Sequence, residues 1–311
     1  MTTGGPEALH QLVSHMVNLG LPAFIVYLPF GNLHQTPAPY LKYNAPIGSY
    51  EDAANNLIIF PEIYPMLALK VKSAKAALWW LSLDNFLERK NTSVIRDKYH
   101  YIRAVLRGKK PLFGAKELTD ITHFSPTKYA TDYLKKFGIN PIGLNDPVSQ
   151  IFLNAAYESH QSSKKNLILY NPGKGLKITK KVIRSLPHIE FLPLKGYSQS
   201  ELSRIMFSAK LYVDFGHFPG GERIPREAAM HGCCVISGKL GSAANDLDFP
   251  IPNQYKLNTT SKTFIDSFKT LAEDVLNNFD YHYSNFEDFR IYLKSQPDLF
   301  NQQIKNTFIE C

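Results

Sequence analysis

The residues best placed to do chemistry are in GHFPGGERIPRE, residues 216–227. Arg223 and Arg226 offer charge-assisted donors of the kind that hold phosphate. The glycines, Gly216 among them, allow backbone to come close to a ligand, and Pro225 suits the first turn of a following helix. The unsatisfied amides and dipole of such a helix start favour an anion. Glu227, expected in that first turn, could accept hydrogen bonds from a pair of sugar hydroxyls. Phosphate donors beside a hydroxyl acceptor suit a nucleotide. The plainer reading of the same residues is a glutamate that complements a helix dipole, next to an ordinary surface Arg–Glu pair.

Position supports the first reading. KLYVDF, residues 210–215, has the apolar run of a buried strand, and in an open parallel sheet ligands bind beyond the carboxyl ends of strands. The second half alternates throughout: NLILY (166–170), a helix over about 175–186, IEFLPL (189–194), a helix over 198–208, KLYVDF, a helix over about 225–231, and CCVIS (233–237). NPGKG (171–175) follows a strand and precedes a helix, which brings Lys174 to the same edge, although NPGKG is also a good plain turn. GKLGSAAN follows CCVIS in the same way.

The first half shows the same alternation. An apolar stripe over residues 6–19 predicts a helix with Pro6 in its first turn, directly preceded by Gly4 and Gly5, a second phosphate-approach loop. AFIVYL (23–28), LIIF (57–60), KAALWWL (75–81) and DITHFSP read as strands, and 92–107 and 127–137 as helices. The pattern is α/β, with two Rossmann-like domains. The expected domains are 1–155 and 156–280, followed by C-terminal helices over 281–311 that pack back on the first domain.

Composition sets the outer limits. The 311 residues suit two domains of about 150 each. Nothing approaches a membrane-spanning run or a signal peptide, so the expected location is cytoplasmic, with the basic surface favouring peripheral contact with an anionic membrane. A net charge of +8 favours anionic partners without choosing among them. Its clusters are short, scattered and free of interleaved aromatics, so nucleic acid is not the expected partner. Three cysteines form neither a disulfide framework nor a zinc spacing.

EAAMHGCCVIS (227–237) resembles the E-A-small-x-x-G-x-x-V-I segment of GT-B glycosyltransferases, and TGGPEALHQLVSHMVNLG (3–20) resembles the Gly-Gly loop and first helix of their N-terminal domain. The element order agrees over nearly the whole chain. The resemblance implies two Rossmann-like domains facing across a cleft and transfer of a sugar from a nucleotide-diphosphate sugar, as in bacterial surface-polysaccharide synthesis. It implies a donor set of Gly4, Gly5, Lys174, Gly216, Arg223, Ile224, Pro225 and Glu227, with Glu227 on the ribose and Lys174 on the diphosphate. Two departures stand out. Retaining members commonly carry an acid eight positions before the ribose-binding Glu, where this chain has Pro219; Glu222 is the nearer acid, and retention or inversion stays open. The strand that usually precedes the Gly-Gly loop would fall before Met1, so either an upstream segment exists, which is the expectation, or the N-terminal sheet lacks that strand.

An inverting transfer needs a base for the acceptor hydroxyl. Glu62 and Asp84, each just beyond a strand, are the candidates, and Glu7 and His10 are further ones, while Glu222 is the catalytic candidate for a retaining transfer. Each admits a structural reading as a helix cap or a packed residue. The diphosphate has basic partners, so no metal or cofactor is expected beyond the sugar nucleotide as co-substrate, with a glycan or lipid-linked acceptor. A sugar-nucleotide epimerase of the same architecture and a basic nucleic-acid-binding protein are the alternatives.

Overall fold

The computed structural model describes residues 4–88, 106, 115–155 and 164–309; the helix expected over 92–107 lies almost wholly outside them. The chain divides into two compact units, Met1–Asp146 with Phe300–Cys311, and Pro147–Leu299.

The first unit runs α1 (Gly4–Asn18), β1 (Leu57–Pro61), α2 (Pro65–Ala68), β2 (Lys75–Trp79), α3 (Leu83–Glu88), β3 (Thr122–Ser125), α4 (Lys128–Lys135) and β4 (Ile142–Gly143). Its strands pair in parallel in the order β1-β2-β3-β4 among the described residues. Alternate residues of β2 and its continuation go to opposite faces, as a strand's period of two requires. Leu78 and Trp80 pack with Phe60, Leu118 and Leu134. Ala77, Trp79 and Leu81 pack with Ala8 and Leu12 of α1 and with Phe124, Phe300 and Ile304. Both faces are covered, which explains the unbroken apolar run of KAALWWL.

One expected strand does not form. AFIVYL makes a single bridge, Ile25 with Ile47, and leaves Phe24, Val26 and Leu28 exposed. Ile25 donates to the Pro46 carbonyl and accepts from Gly48, but Pro46 has no N–H to return and Pro29 ends the segment, so no ladder can propagate.

The second unit holds α5 (Gln150–Ala155), β5 (Lys165–Tyr170), α6 (Leu176–Ser185), β6 (Glu190–Pro193), α7 (Gln199–Ser208), β7 (Ala209–Asp214), α8 (Arg223–Met230), β8 (Cys234–Gly238), β9 (Lys256–Leu257), α9 (Phe264–Asn277) and α10 (Phe279–Ser284). α11 (Glu287–Phe308) begins in this unit and ends in the first. The sheet is parallel, in the order β6-β5-β7-β8-β9. Leu211, Tyr212, Val213, Cys234, Val235 and Ile236 are wholly buried in one core. Burying a large aliphatic or aromatic side chain contributes about 1.5–3 kcal/mol, so the strand ends that carry the site are held firmly. Cys233 and Cys234 are buried free thiols within that core, and burial raises both thiols.

Candidate functional site

The strand order of the second unit reverses between β5 and β7: β5 is followed outward by β6 on one side, and by β7, β8 and β9 on the other. Connections leaving the ends of β5 and β7 therefore diverge and leave a crevice, the place where open α/β sheets hold ligands. The two loops that enter it are NPGKG and GHFPGGE. They interlock at glycines. A Cβ on Gly175, at φ +59°, would lie 2.5 Å from the Phe215 carbonyl carbon, and one on Gly216 would lie 2.4 Å from Lys174 Cβ. No other residue type allows this approach of backbone to backbone.

Two helices start at this crevice, α6 with Gly175 as N-cap and α8 with Glu222 as N-cap, and neither start is capped by a side chain. Helix starts of this kind favour an anion. Lys174, about one-third exposed, donates to Glu222 Oε2 at 2.5 Å. Arg223 donates from Nε and Nη2 to Glu227 Oε1 at 3.0 and 2.9 Å, and Glu227 is only 2% exposed. Glu227 was expected in the first helical turn. Because α8 opens at Arg223, with Pro225 as its third residue, Glu227 falls in the second turn and lies beneath the Arg223 guanidinium. Arg226 was expected to face phosphate, but its guanidinium donates to the Gly221 and Glu222 carbonyls and braces the loop from within. Ile224 packs on the core and Pro225 is buried, so both anchor the helix start by their side chains.

Asp214, which the sequence reading passed over, lies at the bottom of the crevice at the end of β7 and is 2% exposed. Its Oδ1 accepts from the Gly216 amide at 2.8 Å and its Oδ2 from the Tyr212 hydroxyl at 2.9 Å. Burial, then the neighbouring Glu222, pushes its carboxyl up to about 6, opposed by the Gly216 amide, Tyr212 and Lys174. A single acid at the end of an apolar strand was the signal available in KLYVDF.

In the first unit Glu62 follows β1 directly and is 3% exposed. Asn85 donates to its Oε1 at 3.4 Å, while Oε2 is buried without a hydrogen-bond partner, as is the Ser82 hydroxyl beyond β2. Burial pushes the Glu62 carboxyl up to about 7, with nearby amides and Asn85 opposing. Asp84 lies in the first turn of α3 and accepts from Tyr129 at 3.2 Å; burial and Asp84 push that phenol up to about 12. Gly4 and Gly5 are the first two residues of α1 rather than a loop before it, and Gly5 lies beside Leu81 at the end of β2. Glu7 is buried and accepts from Lys42 and Tyr43 at 2.8 and 2.6 Å. His10 bonds Pro6 O and the Tyr27 hydroxyl and stacks on Tyr40, and burial lowers its imidazole. Both belong to a packed polar network on α1. The structure therefore gathers Lys174, Gly216, Glu222, Arg223, Ile224, Pro225 and Glu227 in one unit, whereas Gly4, Gly5, Glu62 and Asp84 belong to the other. Among the described residues, no group of three or more His, Cys, Asp or Glu side chains is placed to hold a metal.

No family model matches the chain, and no curated protein is similar to it in sequence. Solved structures are similar. Sucrose-phosphate synthase from Thermosynechococcus elongatus aligns with a TM-score of 0.62 at 11% identity, over 96% of this chain and 91% of that one. An α,α-trehalose-phosphate synthase (UDP-forming) from Burkholderia xenovorans, in complex with glucose-6-phosphate, aligns at 0.56 and 9% identity over 84% and 74%. TarM aligns at 0.55 and 15% identity over 83% of this chain, which spans 56% of TarM's length. The likeness establishes the fold: an α/β chain with parallel sheets, built as GT-B glycosyltransferases are.

Proposed function

We propose that this protein is a glycosyltransferase that moves a sugar from a nucleotide-diphosphate sugar to a hydroxyl of a glycan or lipid-linked acceptor, in the synthesis of a surface polysaccharide. The observation that carries the reading is the β5/β7 switch point, where two uncapped helix starts, Lys174 and Arg223 adjoin the buried carboxylate of Glu227. In this reading the helix amides and Lys174 stabilise the leaving diphosphate, Arg223 supports it, and Glu227 receives the ribose hydroxyls. Glu62 is the base: a carboxyl held near neutrality with one oxygen unengaged is suited to taking a hydroxyl proton. No helix among the described residues is long and apolar enough to cross a membrane, so a lipid-linked acceptor would be met at the membrane surface.

The experiment is a thermal-shift screen with UDP-, GDP-, ADP- and CMP-sugars, led by UDP-sugars because one structural neighbour is described as UDP-forming. One class should raise the melting temperature. Lys174→Ala should then weaken that donor by about 1.5–3 kcal/mol, the scale of a charge-assisted hydrogen bond. If no sugar nucleotide stabilises the protein, or if Lys174→Ala weakens the nucleoside monophosphate equally, the donor assignment fails.

A further inference from the structure

Asp214 is the most buried acid of the crevice that the transfer scheme leaves without a task, and its surroundings give it one. Each element packed against it supplies a group. Tyr212 on β7 donates a hydroxyl, Lys174 reaches in from the β5–α6 loop, and Glu222 faces it from the N-cap of α8. β8 brings Ser237, its register partner, whose buried hydroxyl has no hydrogen-bond partner. Glu227 is turned to Arg223. Two carboxylates, Asp214 and Glu222, thus depend on one ammonium, which bonds Glu222 directly. Asp214 also fixes the geometry of that lysine: its bond to the Gly216 amide holds the backbone against which Lys174 Cβ is pressed.

Resting on the donor reading above, we propose that Asp214 is a positioning residue that takes up one proton when a diphosphate draws Lys174 away from Glu222. Lys174, about one-third exposed, is the more accessible of the two cations at the helix starts, and phosphate oxygens there compete for it directly. Once it moves, Asp214 is left with the charge of Glu222 and without the cation that offset it, which favours the protonated form of one carboxylate. The proton comes from solvent and converts one carboxylate to a carboxylic acid. Asp214, the more buried of the two, receives it, and as an acid it still accepts from Gly216 through Oδ1.

The sign of the pH effect follows. In the free protein the Asp214 carboxyl titrates at about 6. Binding raises it further, so affinity is independent of pH below that value and falls as pH rises above it, by up to about tenfold per pH unit, until the bound form also ionises. The test is calorimetric titration with whichever sugar nucleotide the thermal screen identifies, in buffers of different ionisation enthalpy at about pH 7. A sugar nucleotide is the right probe because its diphosphate does not titrate in this range. Uptake approaching one proton is expected for the natural protein. Asp214→Asn, which keeps the bond from the Gly216 amide, should bind with little uptake and a flat pH profile, and should still melt in one cooperative transition. No uptake by the natural protein, or undiminished uptake by Asp214→Asn, would overturn the proposal while leaving the donor site standing. Failure of every sugar nucleotide to bind would remove both together.

Discussion

The strand ends of the two units handle buried charge in opposite ways. In the second unit each site cation holds a carboxylate, Lys174 with Glu222 and Arg223 with Glu227, and Asp214 accepts two hydrogen bonds. In the first, Glu62 Oε2 and the Ser82 hydroxyl are buried without partners, whereas the unpartnered group at the strand ends of the second is a neutral hydroxyl, Ser237. A site whose charges satisfy one another is stable when empty, and a ligand must exchange one ion pair for another. A site with unsatisfied groups costs stability when empty and gains when a hydroxyl arrives. The comparison teaches that donor affinity here is a competition, whereas the proposed base carries stored cost.

The largest expected effect breaks the unsatisfied side. Glu62→Gln should lower turnover by about 10²- to 10⁴-fold, the range for loss of a general base. It should also stabilise the fold at high pH. Glu62 holds its proton to about 7 in the folded chain against an ordinary 4.5, so stability is full at low pH and is lost as pH rises across that interval. The loss approaches about 3 kcal/mol, at 1.4 kcal/mol per tenfold, and glutamine abolishes it. Urea unfolding of both proteins at about pH 5 and pH 8 measures this; a mutant weaker than the parent at the higher pH would contradict it.

A smaller effect contrasts glycines. Gly216→Ala forces a Cβ to 2.4 Å from Lys174 Cβ, whereas Gly5→Ala meets nothing nearer than Leu81 at 3.9 Å. The first should cost about 1–3 kcal/mol of stability and most donor affinity, and the second should be neutral in both. Equal tolerance at the two positions would mean that the interlocked loops separate easily. The smallest effect sharpens the self-neutralised side. Glu222→Gln leaves Lys174 free to meet phosphate, so donor affinity should rise about three- to fivefold, a modest gain because the pair is partly exposed. A fall in affinity, measured by the same titration, would mean that Glu222 helps to hold the donor.

Much of this arrangement is readable in sequence because it depends on local pattern. LIIF, NLILY and CCVIS became strands where their apolar runs and flanking breakers put them, and the loops after β5 and β7 stand at the crevice for that reason. AFIVYL has the same local character and failed, because a strand also needs a neighbour with free donors, and Pro46 supplies none. Asp214 was missed for a related reason: its meaning depends on Gly216, Glu222 and Lys174, the last 40 residues away in sequence. The pairing of Lys174 with Glu222 spans 48 residues and follows only from how β5 and β7 lie side by side.

α11 carries Phe289 and Leu293 into the core of the second unit and Phe300 and Ile304 into that of the first, where Phe300 stacks on Trp79 at 6.3 Å. The first unit is therefore discontinuous in sequence. On the ribosome, where residues emerge at about 5–20 per second, the part of the molecule made first is the last to be completed. Until residues 300–308 are made, the face of its sheet that bears Ala77, Trp79 and Phe124 waits with part of its cover missing, while the second unit already has its full sheet. One face of the first unit, and not its sheet or its other face, is what the end of α11 completes.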